Sequence, residues 1–347
     1  MKKVLQTSLV LVSAIVGVGF ISGKEVVTFF AKFGLAGLIF AVIASIIFSI
    51  TIAYFLFKSN DIDKLLFCKK PQNLIKQSEK VPQNDKIYSI NVIFKNLLLV
   101  AYVIISAVMI SGFRVVFNDF LSPVIVELLI AFLLVLLFFF VGKGEKGLGC
   151  LPVIFCVIFG VLLSVIFAEN TGNIYINSTT KTSNVFIMCL MLFYVSMNLF
   201  TCFSVLVKFG KNMNKKECLL SGIISGIIIC VFLVLSVLVL GGQTDNIRMP
   251  ILNVIKNNVV KNLYVVVIVL GLLTTLFSTV HGAVYIGESK NLIKKRVMVL
   301  YFSYLISSLG FNLLVGKVYP LLGFFTMLEL IIIYLIIKKP QNNKFVC

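Results

Sequence analysis

The residues of this chain that are able to do chemistry stand inside apolar sequence. Lys24 and Glu25 close the stretch IVGVGFISGKE at residues 15–25, His281 is the single histidine, and Glu329 sits within LLGFFTMLELIIIYL. Ionisable groups in such surroundings pair with one another or mark ion and proton paths, because an unpaired charge in hydrocarbon is expensive. Glu25 has two readings. Ser22-Gly23-Lys24-Glu25 matches the S-x-x-E capping box, in which the glutamate reaches back to the serine amide; the other role is to carry a proton or cation. Lys24 lies about 100° around the helix from Glu25 and reads as a snorkelling or paired residue. His281 is either a hydrogen-bonded interior residue or a proton relay. Thr275, Ser278 and Thr279 stand at i, i+3 and i+4, with Gly271, Gly282 and Tyr285 on that face or its border. A stripe of this kind glues helices together or supplies oxygen donors. Glu329 has no obvious partner in the sequence and is a functional candidate.

The glycines set the frame for these groups. Gly17, Gly19 and Gly23 permit non-helical torsions, so one helix is expected to stop near Val16 and another to start at Ser22. The unwound residues between them, Gly17, Val18, Gly19, Phe20 and Ile21, would then hold free carbonyls and amides at mid-depth. Such backbone is tolerated there only beside protein or a water-filled cavity. The positive end of the second half-helix favours a carboxylate, and the carbonyls favour a cation. A second polar interruption is expected in FYVSMNLFT, at Tyr194, Ser196, Asn198 and Thr201. Tyr102 and Ser106 share a helical face that either reaches a solute carboxylate or packs in the core. Arg114 is expected to pair with Asp119 or Glu127.

These groups must be positioned by membrane helices. Of 347 residues 60% are hydrophobic and 13% charged, with a mean hydropathy of +1.09, which excludes a soluble domain. About 20 apolar residues span a bilayer, and ten candidates follow, at roughly 5–31, 33–57, 92–117, 121–141, 151–168, 184–207, 218–241, 262–287, 297–315 and 318–337. Their continuous apolar runs exclude a lipid-facing barrel. The N-terminal segment is expected to remain in place rather than be removed as a signal peptide. With the N-terminus inside, 23 of the 31 basic residues fall on the cytoplasmic side; outside lie Lys32, Lys181, Arg248, Lys256, Lys261 and Lys317. That asymmetry places both termini in the cytoplasm, explains the net charge of +18 without any nucleic-acid partner, and leaves the inner lysines to meet anionic lipid.

The lysine-rich segment 59–91 reads as a partly flexible cytoplasmic loop, and 338–347 as a cytoplasmic tail. In the outer loop 241–258, Ile251, Leu252, Val254 and Ile255 suggest a short surface helix able to act as a lid. Asn177-Ser178-Thr179 is a formal glycosylation sequon without supporting context. The eight cysteines, 68, 150, 156, 189, 202, 218, 230 and 347, have no metal-site or disulfide spacing and read as small buried hydrophobes. No HExxH, GxSxG, paired-aspartate or phosphate-loop motif is present, so an enzyme is not expected, nor a cofactor beyond a coupling ion.

Ten spans divide into five and five of opposite sense, the arithmetic of an inverted repeat, with repeat one about 5–168 and repeat two about 184–337 of a single domain 1–340. Residues 13–34, SAIVGVGFISGKEVVTFFAKFG, resemble the N-terminal signature of the bacterial YkvI-like membrane proteins, in which a small-residue break leads into G-x-G-F-x-S-G-x-E and a phenylalanine pair. The motif likeness is confined to the first span. Those proteins look like members of the amino acid, polyamine and organocation transporter superfamily with the leucine-transporter fold. The resemblance implies an all-α fold of ten helices, broken helices one and six, and a solute held between them and spans three and eight. Gly17, Val18, Gly19, Phe20, Ser22, Gly23, Tyr102, Ser106, Tyr194, Ser196 and Asn198 would then face the solute. It also implies a sodium ion between carbonyls of Gly17 and Phe20 and the hydroxyls of Thr275, Ser278 and Thr279, with Glu25, His281 and Glu329 as further coupling candidates. Proton-coupled members carry a lysine on span five, which LPVIFCVIFGVLLSVIF lacks. The expected function is a plasma-membrane secondary transporter of a small, amino-acid-like solute, with sodium favoured over the proton; the alternative is a solute-sensing receptor on the same fold.

Overall fold

The structure, a computed structural model, describes residues 1–67, 82–141, 151–171, 182–241, 243, 246–285 and 291–338. Among them every regular element is a helix. Eight stretches are long and apolar enough to cross a membrane: Lys24–Phe57, Val92–Asn118, Pro123–Val141, Val153–Asn170, Asn184–Thr201, Lys215–Leu240, Asn258–Val284 and Phe311–Leu335. Their outward residues are apolar rather than polar. In Pro123–Val141 the buried positions Val126, Ile130, Leu137 and Val141 form one helical stripe, while Leu128, Phe132, Val135 and Phe139 are exposed. A helix apolar all round has hydrocarbon for a solvent, and the chain is an all-α integral membrane protein.

The N-terminal segment is broken twice. Helix α1 (Lys2–Ile15) ends at Val16, a single turn α2 (Val18–Ile21) follows extended Gly17, and α3 (Lys24–Phe29) starts after Gly23 at φ 82°. That torsion suits glycine alone without strain. α1 and α2 are too short to span on their own and are absent from the eight, while α3 opens the stretch Lys24–Phe57. A 3-10 turn at Ala31–Phe33 leads into α4 (Gly34–Phe57), and α5 (Ser59–Phe67) and α6 (Pro82–Asn118) follow. Part of the segment expected to be an irregular loop is therefore helical; α5 is held by Lys58 to Asp61 at 3.0 Å and Lys211 to Asp63 at 2.7 Å. Its centre, 68–81, lies outside the described residues, as do the sequon, Cys68, Cys150, Cys347 and the tail beyond 338.

Then come α7 (Pro123–Val141), α8 (Leu151–Asn170), α9 (Asn184–Thr201), α10 (Phe203–Gly210) and α11 (Lys215–Leu240). The second interruption lies later than expected. Tyr194, Ser196, Asn198 and Thr201 all belong to continuous α9, and the discontinuity falls at Cys202. The polar side chains do not unwind the helix because three of them are satisfied along it: Ser196 Oγ, Asn198 Nδ2 and Thr201 Oγ1 donate to carbonyls three or four residues back.

The short helix α12 (Pro250–Val254) forms where the apolar register predicts it. It is followed by α13 (Asn258–Tyr285), α14 (Leu292–Ser307), α15 (Phe311–Leu313), a π-turn at Leu314–Val318, and α16 (Tyr319–Lys338). The most extensive helix contacts join α4 to α11, α6 to α13 and α9 to α16. Arg114 of α6 reaches Glu127 of α7 through Nε at 2.6 Å and a terminal nitrogen at 3.2 Å, and also donates to Ser307 of α14. This ties three helices together, with Glu127 rather than Asp119 as the partner. Cys156, Cys189, Cys202, Cys218 and Cys230 are free thiols.

Candidate functional site

The break sits in the protein core. Residues 15–31 are all buried, and their backbone groups are largely spoken for. The carbonyls of Gly17, Val18 and Phe20 accept from the amides of Ile21, Ser22 and Gly23 at 3.0, 2.8 and 2.9 Å. The Gly19 carbonyl accepts from Ser22 Oγ at 3.0 Å, and that of Ile21 from the hydroxyl of Tyr264 on α13 at 2.8 Å. The expectation of free carbonyls at Gly17 to Ile21 is thus corrected. The chain unwinds only for a residue at a time, so short local bonds and one tyrosine satisfy what a longer unwound segment would have left open.

The capping box is corrected as well. The Ser22 amide donates to Val18, so it is not available to Glu25, and Ser22 Oγ accepts from the Lys24 amide instead. Glu25 turns the other way, against the face of Gly19. A Cβ on Gly19 would overlap Glu25 Oε1 and lie 2.5 Å from its Cδ. The Glu25 side chain is 3% exposed, and its Oε2 has no hydrogen-bond partner among the described residues. Around it α3 packs against α9, which carries Tyr194, and against the π-turn that leads to Tyr319. The Tyr194 ring is boxed by Phe29, Phe30 and Phe48 at 5.3, 5.0 and 6.0 Å, and its hydroxyl also lacks a hydrogen-bond partner. A carboxyl and a phenol, each with an oxygen unpartnered among the described residues, are thus buried in the core beside the break.

The two nearby glycines differ sharply. A Cβ on Gly17 meets only Thr275 and Met109, at 3.8 Å or more, and its torsions are extended. Gly17→Ala is therefore expected to unfold near the wild-type temperature in detergent, whereas Gly19→Ala, by pushing the buried Glu25 carboxyl out of its place, is expected to lower the midpoint.

One side of the break is sealed by the segment around α12. The Ile251 amide donates to the Ser22 carbonyl at 3.1 Å, and buried Lys24 donates from Nζ to the Ile247 carbonyl at 3.3 Å. Any Cβ on Gly23 would strike Ile251 and Leu240. Asn170 and Lys256 tie the same segment to the end of α8. The lid suggested by the sequence rests directly on the half-helix.

On the other side, toward the N-terminus of α1, a cavity of about 160 Å³ opens. Gln6, Val10, Ser13 and Ala14 of α1 form one wall, and Thr201, Val205, Lys208 and Phe209 of α9 and α10 a second. The third is α13, with Thr274, Thr275, Phe277, Ser278, Thr279 and His281. Four of the coupling candidates are thus brought together, and His281 stacks on Phe277. Thr275 also stands beside Gly17, so α13 meets the break at mid-depth. Another groove, with exposed Val157 and Val161 at its edge, is apolar and faces the hydrocarbon.

The residues expected to face the solute do not line this cavity. Val18 packs toward Gly112, and Phe20 meets Phe159 edge-on. Tyr102 packs flat on Gly282, while Ser106 shares a 2.8 Å hydrogen bond with Thr279, so both lie within the α6–α13 interface. Ser196 donates to the Gly323 carbonyl of α16, and Asn198 to its own helix. Glu329, 5% exposed, also has an oxygen without a hydrogen-bond partner among the described residues, on α16 one turn beyond Thr326, which donates to Ser196. Lys208, Gln6 and Ser13 were not anticipated. Lys208 reads as a loop lysine until Val205, Lys208 and Phe209 are recognised as i, i+3 and i+4 of one face of α10. Among the described residues no group of three metal-ligating side chains converges. No family model matches this sequence, and no curated protein matches it.

Proposed function

We propose that this chain is a secondary transporter of a small, amino-acid-like organic solute that works by alternating access, on the ten-helix scaffold of the YkvI-like membrane proteins. The observation that carries the reading is the asymmetry about the broken segment: the docked helix α12 on one side, an open cavity with mixed polar and apolar walls on the other. A transporter resting with one gate closed has this form. Ten spans follow if α1 with its turn α2 and the short helix α14 are counted with the eight long ones, the first of which already includes α3.

The helix pairings support an inverted repeat. Numbering these spans in order and exchanging one to five with six to ten maps several of the contacts onto one another, although α8–α11 and α8–α13 have no comparable counterpart at α16. The α4–α11 and α6–α13 pairs map onto themselves, α1–α8 onto α9–α16, α1–α11 onto α9–α4, and α6–α14 onto α13–α7. With the N-terminus cytoplasmic, as the lysine distribution implies, the cavity opens inward and the lid closes the outer side.

For coupling, the geometry favours a proton at Glu25 over sodium, the reverse of the order expected from sequence. The carbonyls that a sodium ion would use each hold a hydrogen bond already, and Thr279 is bonded to Ser106 and to its own helix. Glu25 has an oxygen with no hydrogen-bond partner among the described residues. An ionised carboxylate buried in this way costs several kcal/mol, so a proton or a cation must accompany it.

Counterflow in proteoliposomes tests the function. Vesicles loaded with a candidate amino acid are expected to take up labelled solute faster than empty ones. Saturable binding of that amino acid with no exchange would make the chain a sensor instead.

A further inference from the structure

We infer that the proton of Glu25 comes from the cavity along one face of α9, over the polar line Thr201, Asn198 and Tyr194, carried by water and by the Tyr194 hydroxyl. The inference deepens the proton-coupling reading and rests on it. Glu25 is buried and is not among the residues that line the cavity. An acid that loads and unloads a proton there needs a route between the two. Tyr194, Asn198 and Thr201 stand at i, i+4 and i+7 of continuous α9, which makes one stripe about 10 Å long. Its lower end, Thr201, is a wall of the cavity. The helix packs against both α1 and α3, the pieces on either side of the break, so the stripe runs past the break.

The members of the line are held in place. Thr201 Oγ1 donates to the Asn198 carbonyl at 2.7 Å, and Asn198 Nδ2 to the Tyr194 carbonyl at 3.0 Å. At the upper end Phe29, one turn on from Glu25 along α3, packs on the Tyr194 ring at 5.3 Å, so carboxyl and phenol share a neighbour. Glu25 Oε2 and the Tyr194 hydroxyl each lack a hydrogen-bond partner among the described residues. A buried hydroxyl left unpaired costs about 1–3 kcal/mol, and such groups are the ones that ordered water serves. The other titratable groups on α3 and on the elements packed against it offer no such route. Lys24 is turned to the Ile247 carbonyl, Lys32 lies over the Phe33 ring, Lys317 is exposed, and Lys215, Lys216 and Glu217 stand at the start of α11. Tyr319 is a second buried phenol, but its helix α16 supplies no wall of the cavity. In the transfer the Tyr194 hydroxyl gives its proton to the Glu25 carboxylate, through one water where the gap exceeds a hydrogen bond. It takes another from water on the Asn198 side, so the phenol is regenerated and one proton has moved to the acid.

The test needs no solute. Full-length protein in nanodiscs is moved from H2O into D2O and followed by infrared difference spectroscopy. The protonated Glu25 carboxyl gives the carbonyl-stretch band that disappears in Glu25→Gln, and its downshift times the arrival of a deuteron. Tyr194→Phe keeps the ring among Phe29, Phe30 and Phe48 and removes the hydroxyl. It is expected to slow the downshift at least about tenfold, within the roughly hundredfold or more that a positioned proton donor contributes. Thr201→Val and Asn198→Leu, which interrupt the line below it, should slow it as well. A role in packing alone gives the opposite sign, because a loosened core admits D2O faster. Ser196→Ala is the control: it removes a hydroxyl of the same helix that lies off the stripe and donates to the Gly323 carbonyl, and its exchange should match wild type. A wild-type rate in Tyr194→Phe, equal slowing in Ser196→Ala, or no band that depends on Glu25 would each overturn the route. Uptake of labelled amino acid driven by a pH gradient separates this from the transporter reading. Slowed exchange in Tyr194→Phe with no accumulation by the wild type sinks transport and leaves the route; accumulation by the wild type with unslowed exchange in Tyr194→Phe sinks the route alone.

Discussion

Glu25→Gln is expected to abolish uphill uptake while solute exchange survives. In proteoliposomes with a pH gradient of about one unit, one-to-one proton coupling sustains about tenfold accumulation, since one unit is worth about 1.4 kcal/mol. In the variant the accumulation ratio falls to about one. Glutamine keeps the size of the side chain against Gly19 and removes the ability to take up and release a proton. Counterflow needs no net proton movement and should remain near wild type. A capping role would give the opposite result, because glutamine completes a capping box as well as glutamate does, but the Ser22 amide is committed to Val18. Retention of tenfold accumulation by the glutamine variant would remove Glu25 from the coupling step and return attention to Thr275, Ser278 and Thr279, with sodium replacement by choline as the next measurement.

The second large effect concerns the α4–α11 seam. A Cβ at Gly222 would lie 2.6 Å from the Ser49 carbonyl oxygen, and one at Gly226 would lie 2.6 Å from Ser49 Cβ and 3.0 Å from the Ser45 carbonyl. These two glycines, four residues apart, let the helix backbones approach as small residues do in membranes. The atoms they meet are backbone or Cβ and cannot swing away. Gly222→Leu and Gly226→Leu are each expected to destabilise by about 3 kcal/mol or more, read as a fall of at least about 5 °C in the unfolding midpoint in detergent. Gly316→Leu is the control, since nothing lies within 4 Å of its Cβ position, and it should unfold near the wild-type temperature. Equal midpoints for all three would mean that this seam does not set the stability of the bundle.

The coupling prediction depends on a contact that no reading of the sequence supplied. In the sequence Ser22 and Glu25 stand three apart, and the local rule for that spacing gives a cap. The structure breaks the rule because Gly23, at φ 82°, reverses the chain one residue after the serine. The two side chains then leave on different sides, and Gly19 offers the carboxyl a surface without a Cβ.

What the sequence determined by itself is whatever depends on neighbours along the chain or on the solvent. Apolar runs long enough to cross a bilayer made helices of 34–57, 215–240 and 258–285, because hydrocarbon leaves the backbone no other way to satisfy its groups. Glycine spacing located the break near Val16 to within a residue, and the register of Ile251, Leu252 and Val254 located the lid helix. The tertiary structure alone decided which polar groups meet. Tyr102, Ser106, Tyr194, Ser196 and Asn198 carry the same side chains whether they face a solute or a neighbouring helix, and a few tens of degrees of helix rotation separate the two. Packing against Gly282, Thr279 and Gly323 chose the interfaces for Tyr102, Ser106 and Ser196. The same rotation turned Lys208, which reads as a loop cation, into a wall of the cavity. Local sequence carries hydropathy and torsional preference; the azimuth of a membrane helix is set by shape against its partners, which stand tens or hundreds of residues away.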